Sequence, residues 1–308
     1  MSKVEFTKPA KSFEEQLQLL IDRGLIVADQ DSAIHALSHI NYYRLSAYWI
    51  PLLTSREENT FQDGTTFNDI LNLYIFDREL RLLVLDAIER VEISFRTQWA
   101  HQLSLKYGPH AYFADSRGMR KRDTWLRSNK QDLLEHLNRS DEMFVAHYRH
   151  AYKEELPPAW VSCEVMSLGL LSRWFSNLNA YPARTAIANA YSLNEAVLEG
   201  VMEHLTYIRN LCAHHSRLWN RRLTKLMPLP RTKPTGLRDD MTDGEDRKIY
   251  NTLVMIAHLM DVICIDHHWK QRLVKLIAQY DIDVSGMGFP DDWLAMPVWS
   301  SNIERKGA

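Results

Sequence analysis

Leu198-Glu-Gly-Val-Met-Glu-His-Leu-Thr-Tyr-Ile-Arg-Asn-Leu-Cys-Ala-His-His-Ser-Arg-Leu-Trp-Asn-Arg-Arg222 is the stretch on which the reading of this chain turns. Val197, Val201, Leu205, Ile208 and Cys212 recur at steps of three and four residues, the spacing of one buried stripe on an α-helix. Polar chemistry begins abruptly at Arg209, and the amphipathic pattern runs out into a patch of Arg, His, Asn and Trp.

Arg209 and His214 lie five positions apart, about 140° around a helix, so their backbones do not share a face. Asn210 and His214, at i and i+4, do share one and could meet. The spacing pictures an amide that orients an imidazole, with a long guanidinium reaching in from the side. Such a trio suits attack on a phosphodiester. Imidazole titrates nearest neutrality and can move a proton to or from an oxygen. Guanidinium keeps its charge and offers a fork of donors to the extra negative charge on a pentacoordinate phosphorus. RNA brings its own nucleophile, the 2′-hydroxyl. Arg209, Asn210 and His214 are therefore the candidate catalytic residues, with His215, Arg217, Arg221 and Arg222 as candidate RNA contacts, and no metal or cofactor is required.

The bare interval carries little weight, because 24 Arg and 13 His in 308 residues produce about one Arg-x4-His by chance. Its flanks carry more. Ile208-Arg-Asn-x-x-Ala-His-His-x-Arg-x-Trp-Asn-Arg221 resembles the signature of the HEPN ribonuclease superfamily, and specifically of the Abi-like family of bacterial abortive-infection proteins, the AbiD/AbiF type. The resemblance extends to Asn41-Tyr-Tyr-Arg-Leu-Ser-Ala-Tyr-Trp49, to Tyr74-Ile-Phe-Asp-Arg-Glu-Leu-Arg81 and through Glu89-Arg-Val-Glu-Ile-Ser-Phe-Arg96. It implies an all-α multi-helix bundle with a HEPN-like core. It also implies metal-independent endoribonuclease activity in antiphage defence, by 2′-hydroxyl attack that leaves a cyclic phosphate. HEPN sites commonly form where two such helices meet, so a homodimer is expected, and a phage-derived trigger fits the family.

A second arrangement, Glu92-x3-Arg96-Thr97-x3-His101, repeats the interval. Glu92 and Arg96, at i and i+4, make an ordinary intrahelical ion pair worth a few tenths of a kcal/mol. The stretch is similar to a Glu-x3-Lys/Arg-Arg-x3-His motif of some HEPN proteins, except that Thr97 replaces the second basic residue. Arg96 and His101 could bind substrate, complete a composite site with Arg209 and His214, or stabilise the bundle.

The remaining composition narrows the class. Hydrophobic residues make up 45% and charged residues 25%, enough for a sizeable core. Cys163, Cys212 and Cys264 are few and far apart, which argues against a disulfide framework or zinc site. There is no apolar leader and no run long enough for a membrane span, so a cytoplasmic protein is expected. A formal net charge of −2 excludes a protein that coats nucleic acid and fits engagement of a few phosphates. Basic residues cluster at Arg117–Arg127 and Arg217–Lys225, and the bland reading of each cluster is a solvated face.

Almost every segment reads as helix. The chain is taken as one domain, 1–308, with an N-terminal helical extension (1–60), a core carrying both Arg-x4-His elements (61–222), a Pro- and Gly-rich loop (223–245), and closing helices and tail (246–308). Ser12 and Glu15 form a capping-box pattern for a helix ending at Gly24. A second helical segment should run from Asp31 to Pro51, with Tyr42, Tyr43, Tyr48 and Trp49 packing in a core or interface. A polar loop at 54–66 should precede a helix from Phe67 to Lys106, capped by Thr66, long enough for a break near Asp77. Gly169 should interrupt the short helices of 159–191. Trp125, Trp160 and Trp174 read as core anchors, and His267-His268 as a surface pair.

Two other functions remain open on the sequence. One is a non-catalytic RNA-binding or toxin-type interaction module, held by an inhibitory RNA or a protein antitoxin. The other is a buried polar network in which Arg209, Asn210 and His214 fix helix packing.

Overall fold

Ser12 opens the first helix as its spacing to Glu15 requires: its hydroxyl accepts from the Glu15 amide at 3.2 Å, and the Glu15 carboxylate accepts from the Ser12 amide at 2.7 Å. This computed structural model describes residues 5, 7, 9–55, 57–114, 120, 123–179, 182–244 and 247–300. They fall into two compact units, one of residues 1–79 and 276–282, the other of 80–275 and 283–308.

In the first unit, α1 (Phe13–Ile21) ends where Gly24 takes a left-handed φ of 92°, and α2 (Gln30–His39) starts on Asp29, whose carboxylate accepts from the Ser32 amide. The expected single helix to Pro51 is broken instead at Ile40. Asn41, a strong capping residue, accepts from the Tyr43 amide and starts a separate α3 (Tyr42–Trp49). Tyr48 and Trp49 are buried as expected of core aromatics, while Tyr43 is 76% exposed. Part of the expected polar loop pairs as a small antiparallel ribbon, β1 (Leu53–Ser55) with β2 (Thr60–Phe61).

The long helix α4 (Phe67–Tyr107) starts on Thr66, whose hydroxyl accepts from the Asp69 amide. It runs 41 residues without the expected break. Asp77 is fully buried, but its carboxylate accepts from the Tyr48 phenol at 2.7 Å, so it finds a partner without bending the helix.

The second unit adds α5 (Ala111–Ala114), α6 (Asp123–Arg139), α7 (Met143–Ala151), α8 (Ala159–Val165), α9 (Leu168–Asn177), α10 (Pro182–Asn189) and α11 (Glu195–Ala213). An aromatic cluster sits at its centre. Trp174 lies edge-on to Tyr112 and to Trp125, at 5.4 and 5.1 Å between ring centres, and Trp99 meets Tyr112 at 5.6 Å. Trp160 is not an anchor: it is 53% exposed, because α8 turns Ala159, Ser162 and Cys163 inward and leaves position 160 on the other side. Gly169 does not interrupt a helix either. The break falls at Met166, Ser167 caps α9, and Gly169 lets α11 approach so closely that a Cβ would stand 3.2 Å from the Thr206 methyl.

Beyond α11 the described residues form no helix until α12 (Tyr250–Ile263), which is followed by α13 (Trp269–Gln279) and α14 (Pro297–Ser300). The intervening segment is anchored rather than loose: Met227, Leu237 and Met241 are buried, and the Tyr250 phenol donates to the Asp240 carbonyl at 3.0 Å. His267 is buried, not a surface residue. Its Nδ1 accepts from the Trp269 amide at the start of α13 and its Nε2 lies 2.9 Å from Asp261. Trp293 and Trp299 are buried.

His204 gives the fold an acid limit. Its Nε2 pairs with the Thr252 hydroxyl at 2.9 Å, and burial pushes its pKa down to about 4. An unfolded chain takes up that proton near 6.5, so stability from this group is complete above that value and falls as pH drops through 4. The loss is on the order of 3 kcal/mol. Unfolding measured from pH 7 to pH 4 should show a steeper acid decline for wild type than for His204→Gln; equal slopes would show that His204 does not set the limit.

Candidate active site

The apolar stripe of α11 is buried as its spacing requires, with Val197, Val201, Leu205, Ile208 and Cys212 all facing inward. Asn194 starts the helix by accepting from the Val197 amide at 2.9 Å. α11 packs most closely on α9 and then on α10. Arg184 of α10 secures that arrangement. Its guanidinium is 1% exposed, pairs with Glu199 and lies 3.4 Å from Glu195, and it donates to the carbonyls of Phe175 and Leu178 at 3.0 Å each.

The helix stops within the motif. His214 is the C-cap, and His215 adopts a left-handed φ of 56°. The His215 amide donates to the Cys212 carbonyl and the Ser216 amide to the Leu211 carbonyl, a Schellman ending with His in the place glycine usually fills. Leu218 and Trp219 are then buried, and Asn220 is held by Lys248, whose ammonium also donates to the Gly286 carbonyl. These anchors hold the end of α11 and the turn after it.

On that support Arg209, Asn210, His214 and His215 are all exposed. The Arg209 guanidinium donates to the Asn210 amide oxygen at 3.4 Å. Among the described residues the His214 ring has no hydrogen-bond partner. Arg217 lies 6.0 Å from the Trp219 ring centre, Arg221 donates to the Arg217 carbonyl at 3.3 Å, and Arg222 is exposed. In the other basic cluster, Arg120 pairs with Glu199 at 3.3 Å, while residues 117–119, 121 and 122 lie outside the described residues.

The second Arg-x4-His element is built differently. Arg96 pairs with Glu92 at 2.5 Å, donates to the carbonyls of Glu164 and Met166 at 3.2 and 2.9 Å, and lies 3.5 Å from the Glu164 carboxylate. It therefore closes the C-terminal end of α8, where unpaired carbonyls and the helix dipole favour a cation. His101 is exposed. The two elements nevertheless meet: Arg209 and Arg96, with Glu89, Glu92 and Ile93, line one cleft of about 350 Å³. Neither His101 nor His214 lines it.

Sequence reasoning missed Tyr207. It stands at i−3 from Asn210 and i−7 from His214, on their side of α11, and that spacing was the available signal. Its phenol oxygen accepts from the Thr224 amide at 3.2 Å. Burial pushes the phenol up, but hydrogen bonds from Thr224 and Arg221, with the Arg221 charge, outweigh it and hold the pKa below the usual phenol value.

An all-α protein that displays an exposed Arg, Asn and His at the end of a buried amphipathic helix is the class these features define. The chain belongs to the Abi-like protein family, whose model matches residues 35–220. The family is associated with abortive infection, a phage-defence response. No curated protein and no solved structure matches the chain.

Proposed function

We propose that this protein is a metal-independent endoribonuclease of antiphage defence, with His214 as the general acid or base, Arg209 as the stabiliser of the phosphorane and Asn210 as its positioning partner. The observation that carries this reading is the exposure of all three groups on a rigid support. A buried polar network would have them sealed and paired, as Arg184 is; these face solvent instead.

In the reaction, a base takes the 2′-hydroxyl proton, the oxygen attacks phosphorus, and the 5′-oxygen leaves with a proton from an acid. The products are a 2′,3′-cyclic phosphate and a 5′-hydroxyl. One imidazole cannot stand on both sides of an in-line displacement, so a second acid–base group is needed. Arg96 is committed to α8, which favours a second copy of the chain over the Arg96/His101 element as its source. Leu82 and Ile93, 54% and 55% exposed, give α4 an apolar surface for such a homodimer, Ile93 at the cleft beside Arg209.

The test is incubation of the purified protein with mixed RNA in EDTA, with chemical mapping of the fragment ends. Cyclic phosphates are expected. RNA retained without cleavage would favour the binding or toxin-type module, controlled by an RNA or protein partner, and cleavage only on adding a divalent metal would refute the metal-independent mechanism.

A further inference from the structure

After its turn at Asn220 the chain folds back along α11. The Thr224 amide meets the Tyr207 phenol, Lys225 pairs with Glu203, and Pro228 lies against Gly200, where a Cβ would come within 2.8 Å of its ring. The return segment thus runs antiparallel to the helix and lays Arg221, Arg222 and Lys225 beside the face that carries Tyr207, Asn210 and His214.

Tyr207 is singular in this seam. The Thr224 amide can only donate, and it is directed at the phenol oxygen, with the Arg221 charge nearby. With the Thr224 amide on that oxygen, the hydroxyl hydrogen is what the residue has left to offer. The nearby carboxylate on the same face, Glu203, is taken by Lys225. A phenol held below its usual pKa is also a stronger donor than an ordinary tyrosine.

Resting on the ribonuclease reading above, we propose that Tyr207 is a substrate-positioning residue: its hydroxyl donates to a phosphate oxygen of a single RNA strand lying along the seam between α11 and its return segment, upstream or downstream of the scissile bond. Seven residues separate Tyr207 from His214, a rise of about 10 Å. At roughly 3.4 Å per stacked nucleotide, the contacted phosphate is about three nucleotides from the one cleaved.

The test separates binding from chemistry by working in the His214→Ala background. Affinity for a labelled single-stranded RNA is measured for that protein and for His214→Ala/Tyr207→Phe, then repeated with RNAs in which one phosphate at a time is a neutral methylphosphonate. The Phe variant should bind the unmodified RNA about tenfold more weakly. On one modified RNA, neutralised about three nucleotides from the cleavage site, it should lose nothing further, because the same contact is already gone. A general loosening of the return segment would weaken every RNA alike, and that outcome, or equal affinity of both proteins, overturns the proposal while leaving the nuclease reading intact. No RNA binding by wild type overturns both.

Discussion

His214→Ala is expected to reduce metal-free RNA cleavage by a factor of about 10²–10⁴, the usual worth of a positioned general acid or base. The fold should be indifferent to the change. The His214 side chain is exposed, and among the described residues no hydrogen bond depends on its ring, so stability should move by no more than about 0.5 kcal/mol. Initial rates on a defined RNA, read beside a thermal melt, check both halves. Cleavage retained in a clean preparation of the variant would remove His214 from the mechanism. The homodimer can be read in the same experiment. If the second acid or base is the His214 of another chain, adding excess inactive His214→Ala to wild type should depress its activity, whereas sites confined to single chains would leave the wild-type activity unchanged.

The largest effect on stability is expected at Arg184. Its guanidinium satisfies carbonyls at the end of α9 and meets Glu195 and Glu199 on the first turns of α11, and its face lies 4.8 Å from the Phe175 ring centre. Arg184→Ala removes the partner of several buried acceptors at once, and the cost should be about 3 kcal/mol. The acidic partners are about 30% exposed and can recover some hydration, which places the loss at the lower end for a broken buried pair. In a unit of this size the melting temperature should fall by roughly 6–12 °C. Arg184→Lys keeps the charge without the planar fork and should lie between the two. A melt within a degree of wild type for the alanine variant would show that the α9, α10 and α11 junction does not depend on this side chain.

Arg184 also marks where reading from sequence runs out. As an isolated arginine beside Pro182 it carries no motif, and only the folded chain brings three carbonyls and two carboxylates to it. Arg96 is the converse case. Its pattern with His101 suggested a site, and its partner Glu92 was legible from the i, i+4 spacing, yet the carbonyls of Glu164 and Met166 arrive from some seventy residues away. Trp160 and His267 were misplaced for the same reason: amino-acid type and spacing describe one helix at a time, while burial depends on which face the rest of the fold covers.

What the sequence by itself determined is local. The periodicity of α11, the capping residues Ser12, Thr66 and Asn194, and the uninterrupted apolar pattern of α4 fix helices through forces acting within a few residues. The run from Ile208 to Arg221, with its companion stretches, was enough to point to the family. Tertiary structure decided the use of each polar group. Folding draws Arg184 and Arg96 into partnerships, ends α11 at His214, and bends the return segment back so that the Thr224 amide holds the Tyr207 phenol. Whether a charged or hydrogen-bonding side chain is spent on the fold or left for a ligand depends on partners distant in sequence, and their approach is settled only when the helices pack.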